Sequence, residues 1–178
     1  ILFVEPSPSD GSVVQSVASA HNVYFPTAFT DPKRTSSGFA SENYLVPLLP
    51  AYEEAAKGVG FVNIVADIDG KRRRIVPSIQ YHDKRYFQFS LRAALDILGI
   101  PSEKVWVKPG QFMDLATKLR LPLDDRGYFL INYAGKWVTT FKHYSYVDIL
   151  ISYQENQDKE KPTLNLAELK DKICFVGL

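Results

Sequence analysis

The densest concentration of charge able to do chemistry is Asp67-Ile68-Asp69-Gly70, followed directly by Lys71-Arg72-Arg73-Arg74. Alternating carboxylates of this kind open a calcium loop, in which oxygen ligands surround the ion. The remainder of such a loop is missing: cations fill the next positions, no glutamate sits at the twelfth, and the arginines would repel calcium. An Asp-Gly pair between two apolar runs is instead a β-hairpin signal. With Asp69 and Gly70 as a two-residue loop, Asp67 lies opposite Arg72 on one face. Arg73 then falls on the other face with Ile75 and Ile79, because side chains alternate along a strand. If that face is the core, Arg73 needs an anionic or carbonyl partner, since an unpaired buried charge costs on the order of several kcal/mol. Asp67, Asp69, Gly70 and Arg73 are therefore expected to build a structural hairpin, with Arg73 holding it against the body of the protein.

Other constellations are weaker. His21, His82 and His143 stand apart, and none has a partner at metal-ligand spacing. No metal and no cofactor is expected. There is no G-x-S-x-G elbow, P-loop or G-x-G-x-x-G. Gly58-Val59-Gly60 lacks a third glycine and leads into a strand, whereas a phosphate cradle needs a helix N-terminus. His143, Ser145 and Asp148 are near neighbours in sequence, but loop and helix geometry point them in different directions. They sustain only an alternative reading as a small-molecule hydrolase. Asn132 and Tyr133 end an expected strand, Gly135 allows close backbone approach, and ligands in open α/β sheets bind outside strand C-termini. Asn132, Tyr133 and Trp137 are thus the candidate ligand-binding residues, with Phe141 and Tyr144 as further lining. An aromatic content of 13% also fits plain core filling.

These residues need elements to position them. Ser9 or Asp10 can cap a helix through Ala20, whose Val13, Val14, Val17 and Ala18 keep helical spacing. Residues 23–25 read as a strand, residues 30–43 as a polar loop, and Pro50 opens a short helix that Gly58 ends. A strand over 60–66 enters the Asp-Gly turn and returns over 72–81. A second turn at 82–85 leads to a strand over 86–89. Ser90 is the expected cap of a helix over 91–98 that Gly99 stops. A β-rich section begins at Val105, and a turn at 124–127 precedes a strand over 128–132. Ser145 caps a helix through Ser152, and a charged loop over 154–161 and a short helix over 166–169 follow. Apolar residues at 1–4 and 172–178 read as strands, so both ends fall inside apparent secondary structure and the chain reads as a piece of a larger protein. The expected fold is α/β: a mixed β-sheet with flanking helices and β-hairpins, in a single domain.

Composition agrees with a folded domain. Of 178 residues, 46% are hydrophobic and 23% charged, close to the globular average. Twenty-one basic residues against 20 acidic ones give a net charge of +1. Nucleic-acid binders gather a positive excess on one face, so no nucleic-acid partner is expected. The single cysteine, Cys174, lies in an apolar run and reads as a small buried thiol. No run reaches the roughly 18 apolar residues of a membrane span.

Four stretches together resemble one family. Ile1-Leu2-Phe3-Val4-Glu5-Pro6 with Asp10 is similar to a strand and acidic turn of the second type of CHASE domain, the cyclase- and histidine-kinase-associated sensory extracellular module. Gly60-Phe61-Val62-Asn63 with Asp67-Ile68-Asp69-Gly70-Lys71-Arg72-Arg73-Arg74 and Pro77 resembles its D-x-D-G turn and paired arginines. Phe129 through Gly135, with Phe141 and the Tyr146-to-Leu150 run, resembles its second signature, and Asp171 through Gly177 its closing strand. The family's opening strand and first helix would precede position 1, so the chain reads as one sensor-type domain, 1–178, lacking them. The resemblance implies a non-catalytic, extracytoplasmic (periplasmic or extracellular) sensory domain, tied to the membrane by flanking helices outside this chain. The implied output is a nucleotide cyclase such as adenylate cyclase, a histidine kinase or a protein kinase. It implies a small-molecule or protein stimulus without naming one. A homodimer is expected, because reorientation between protomers is readily transmitted through membrane helices. The helices near Leu91 and Val147 are the candidate surfaces, and a dimerisation module without ligand is the second alternative.

Overall fold

The structure is a computed structural model and describes residues 5–116 and 119–177. The chain, read above as one domain, divides into two compact units, a larger one ending at Ile131 and a smaller one beginning at Asn132. The expected strand over 1–4 lies outside the described residues. The fold class is α/β, with small mixed sheets, hairpins and flanking helices.

The larger unit begins with helix α1 (Asp10–Ala20). Asp10 fixes its start: one carboxylate oxygen accepts from the Ser7 N–H at 2.8 Å and the other from the Tyr52 hydroxyl at 2.8 Å. Tyr52 belongs to α2 (Pro50–Ala55), which opens on proline and ends before Gly58. Val17, Phe25 and Tyr52 close the core beneath these two helices. Strand β1 (Tyr24–Phe29) runs between β4 (Tyr44–Val46, antiparallel) and β5 (Gly58–Phe61, parallel). Pro26 is unusual in a central strand because it lacks an N–H. The Val23 and Thr27 carbonyls accept from Lys57 and Val62, so by alternation Pro26 turns away from β5. On that other side β4 pairs only at Ala28 and Phe29, so no ladder bond is lost.

A second mixed sheet has the order β2 (Lys33–Thr35), β3 (Gly38–Ala40), β7 (Ser78–Tyr81), β8 (Lys84–Phe87). The loop expected over 30–43 is therefore corrected to a hairpin. Gly38, at φ +130°, makes the turn, and Phe39 enters the core opposite Ile79. One buried residue in a polar stretch leaves almost no hydrophobic signal. The strand expected over 72–81 is cut in two, because Pro77, which has no N–H to give, separates β6 (Arg74–Ile75) from β7. β6 pairs with β12 (Phe129–Leu130), so the strand expected over 128–132 is also shorter. An antiparallel meander of β9 (Trp106–Lys108), β10 (Phe112–Asp114) and β11 (Arg120–Pro122) completes the strands of this unit.

Helix α3 (Phe89–Ile97) is capped by Gln88, whose side chain accepts from the Ser90 and Leu91 N–H groups, and not by Ser90. A longer side chain does the work usually given to serine or aspartate. At the other end, Gly99 at φ +65° donates to Asp96 while Ile100 donates to Leu95. This double closure brings Ile100 and Leu95 into one core with Phe87, Val105 and Met113.

The smaller unit holds α4 (Trp137–Thr140), α5 (Tyr146–Gln157) and a 3-10 turn over Leu166–Leu169. Ser145 caps α5, but the helix runs past Ser152, with Gln154 bonded to Asp158 one turn on at 2.9 Å. The strand expected over 172–178 is absent among the described residues, and Ile173, Phe175 and Val176 are exposed. Cys174 is exposed too, which corrects the buried thiol. A strand needs a neighbour for its N–H and C=O groups, and no described strand runs beside this segment.

Candidate functional site

The Asp67-to-Gly70 hairpin is one residue longer than the expected two-residue loop. Gly70 N–H donates to the Asp67 carbonyl at 2.8 Å, and Asp67 N–H donates to Lys71 at 2.8 Å. With Gly70 at φ +75°, this is a three-residue loop closed by a glycine bulge. The extra residue changes where the arginines reach. Arg73 is exposed and bonds the hairpin's own acids, Asp67 at 2.9 Å and Asp69 at 2.7 Å. Its guanidinium holds the Asp69 carboxyl down at about 2, and lowers Asp67 as well. Arg73 therefore ties the turn to itself, a correction to the expected anchor. The anchor is Arg74, which pairs with Asp67 and, through Nε at 3.1 Å, with Asp124. Asp124 opens a second turn of the same form: Gly127 (φ +87°) donates to its carbonyl and Asp124 donates to Tyr128.

A recess of the larger unit lies where two sheets part. β5 is the edge of one sheet and β8 the edge of the other. They join in parallel at Phe61 and Gln88, a contact tight enough that a Cβ on Gly60 would stand 2.6 Å from Phe89 Cα. The opposite ends of both strands line a cleft of about 700 Å³, closed by the end of α2, by α3 and by residues 102–105. That volume suits a small molecule.

Charge is distributed around this cleft in a definite way. Lys84 is paired with Glu53 at 2.9 Å, and Arg92 with Asp96 at 2.5 Å. Tyr24 also donates to Asp96, at 2.8 Å, and burial together with that carboxylate pushes its hydroxyl up to about 12. Arg85 donates to the Val105 carbonyl at 3.2 Å and among the described residues has no carboxylate partner. Among the described residues the side chains of Lys57, Asp83 and Glu103 make no hydrogen bond or ion pair. Sequence reading missed all of these residues. The one available signal was Gly58-Val59-Gly60, since glycines in a strand mark close backbone approach.

In the smaller unit, Tyr133 and Trp137 are exposed, and the strand before Asn132 ends at Leu130. A shallow recess is lined by residues 138–144 and Glu168, with Phe141 and Tyr144 in it and Asn132, Tyr133 and Trp137 outside. Trp137 packs on His143, ring centroids 4.3 Å apart, and the His143 ring nitrogen Nε2 lies 3.0 Å from the Trp137 carbonyl. Ser145 Oγ accepts from the Asp148 N–H at 3.4 Å. The His143 and Ser145 side chains thus bond backbone groups, and among the described residues no hydrogen bond links the side chains of His143, Ser145 and Asp148, so they do not form a nucleophile-base pair. Among the described residues, no group of three His, Cys, Asp or Glu side chains could hold a metal ion.

The hairpin acids, the paired arginines and the Asp124 turn lie within one continuous similarity: the model of the CHASE2 domain family matches residues 1–178. The chain belongs to the CHASE2 family. No curated protein and no solved structure matches it. A CHASE2 domain is a sensory module of signalling receptors, and that is the class of this protein. Among the described residues of this CHASE2 domain, no helix is long and apolar enough to cross a membrane.

Proposed function

We propose that this CHASE2 domain is the extracytoplasmic, non-catalytic, stimulus-receiving part of a transmembrane receptor whose output is a nucleotide cyclase, a histidine kinase or a protein kinase. The family match over residues 1–178 carries the reading. Two features of the molecule support it. The cleft between β5 and β8 offers a recess of ligand size, and the His143 and Ser145 side chains bond backbone groups rather than each other or the Asp148 carboxylate. The receptor works as a pair of copies, since reorientation of protomers is an easy motion to pass through membrane helices. Helix α5, with Tyr146, Val147, Leu150 and Ile151 exposed, is the surface that supports pairing.

Cys174 is exposed and gives a direct test of sidedness. In intact cells carrying the full-length receptor, a membrane-impermeant maleimide is expected to label Cys174, with Cys174→Ala as the control. Labelling only after permeabilisation overturns the extracytoplasmic assignment.

A further inference from the structure

The charges left over in the cleft indicate what it takes. Two pairs, Lys84–Glu53 and Arg92–Asp96, neutralise themselves. What remains is two cations, Lys57 and Arg85, and two carboxylates, Asp83 and Glu103, all facing one recess of about 700 Å³. A surface patch with scattered charges would carry no such message. Here the four exposed side chains line one recess, so charges of both signs lie within reach of a single small molecule. The two strands that border this space are both edges of the described sheets. A simple anion would meet the two carboxylates unfavourably, and a simple cation would meet Lys57 and Arg85. A molecule with both signs at its two ends satisfies both sets.

We propose that the cleft between β5 and β8 binds a small zwitterion, a molecule with one carboxylate and one ammonium group, the carboxylate received by Arg85 and Lys57 and the ammonium by Glu103 and Asp83. Arg85 is held in place for this by its bond to the Val105 carbonyl, which leaves its other N–H groups free to fork onto a carboxylate. Gly58, in the lining, leaves room for Arg92 and Tyr24 to pack close against the strand: a Cβ there would stand 3.0 Å from Arg92 Nε and 3.1 Å from the Tyr24 ring. The proposal rests on the sensory reading and supplies the ligand class that reading leaves open.

The test is calorimetric titration of the full chain with matched probes: γ-aminobutyrate and glycine as zwitterions, butyrate as the anion, butylammonium as the cation. Binding of at least one zwitterion and of neither single-ended probe is expected. Arg85→Met and Glu103→Gln should each weaken that binding about ten- to a hundredfold. Because both residues are exposed, each variant should keep the melting temperature of the unliganded chain, which checks folding. Binding of butyrate as tight as that of the zwitterions, binding unaffected by both substitutions, or no binding of any probe overturns the proposal. None of these results bears on Cys174 labelling, so the ligand class and the receptor reading fail separately.

Discussion

Asp67 and Asp124 occupy the same position in two turns of the same form, and Arg74 is bonded to both. Each aspartate opens a loop that a glycine in left-handed conformation closes, and each accepts the N–H of that glycine. The strands that follow, β6 and β12, pair with each other. One guanidinium therefore joins two reverse turns that the sequence keeps far apart.

Arg74→Met should lower the melting temperature by about 2–4 °C, the scale expected for a domain of this length when a shared ion pair is lost. Arg73→Met removes contacts that stay within one exposed turn, and exposed pairs contribute little. It should shift the midpoint by about 1 °C or less. Thermal melts by circular dichroism compare the two, and equal shifts would contradict the assignment of Arg74 as the anchor.

Gly70 has open space around the position of a Cβ, so only its φ of +75° resists substitution. Gly70→Ala should cost about 1–2 kcal/mol, and Gly70→Asn distinctly less, because asparagine tolerates this conformation. Urea unfolding of the two variants gives the difference.

The acid limb of stability follows from the hairpin carboxyls. Asp69 and Asp67 are held below the ordinary carboxylate range by Arg73. A depressed folded-state value means that the stabilisation is fully present above the unfolded value of about 3.9. It is lost as pH falls through about 2, where Asp69 protonates in the fold. Melting temperature should therefore fall between about pH 4 and pH 2, and Asp69→Asn should flatten that decline. A variant curve parallel to that of the parent protein would show that Asp69 contributes nothing there.

Removing the Gln88 side chain leaves the Ser90 and Leu91 N–H groups without their acceptor. Gln88→Ala should cost about 1 kcal/mol, whereas Gln88→Glu keeps an acceptor at the helix start and should be close to neutral. Chemical denaturation of both separates loss of the cap from loss of packing.

Gly60 sits where β5 meets the start of α3, and an added Cβ would collide with backbone rather than with a flexible side chain. Gly60→Ala should cost about 1–3 kcal/mol. Gly11→Ala, inside α1 where a Cβ meets nothing within 4 Å, is the unhindered control and should be neutral or stabilising by up to about 1 kcal/mol.

Local punctuation made part of the fold legible. Asp10, Pro50, Gly99 and the Asp-Gly pair each mark a boundary or turn by a mechanism that acts within a few residues. Elements defined by distant partners left weaker traces: β3 is one buried phenylalanine in a polar stretch, and the apolar run around Cys174 has no described neighbour to make it a strand. Gln88 was overlooked as a cap because Ser90, two residues on, has the commoner cap chemistry. The cleft was invisible for the same reason as β3. Lys57, Asp83, Arg85 and Glu103 are ordinary charges in their own segments, and only the parting of two sheets gathers them. The hairpin shows the reverse case, where the turn was readable but a one-residue bulge redirected the arginines.

The junction of Phe61 with Gln88 also limits what can attach along β5 and β8. An edge strand left open along its length is a template on which a foreign chain can extend the sheet and begin an aggregate. β5 and β8 each have such an edge, but α3 starts hard against Gly60 and blocks one end. The cleft beside Gly58 and Val59 lies at the far ends of these edges, so an intruding strand that entered there would meet the start of α3 within a few rungs.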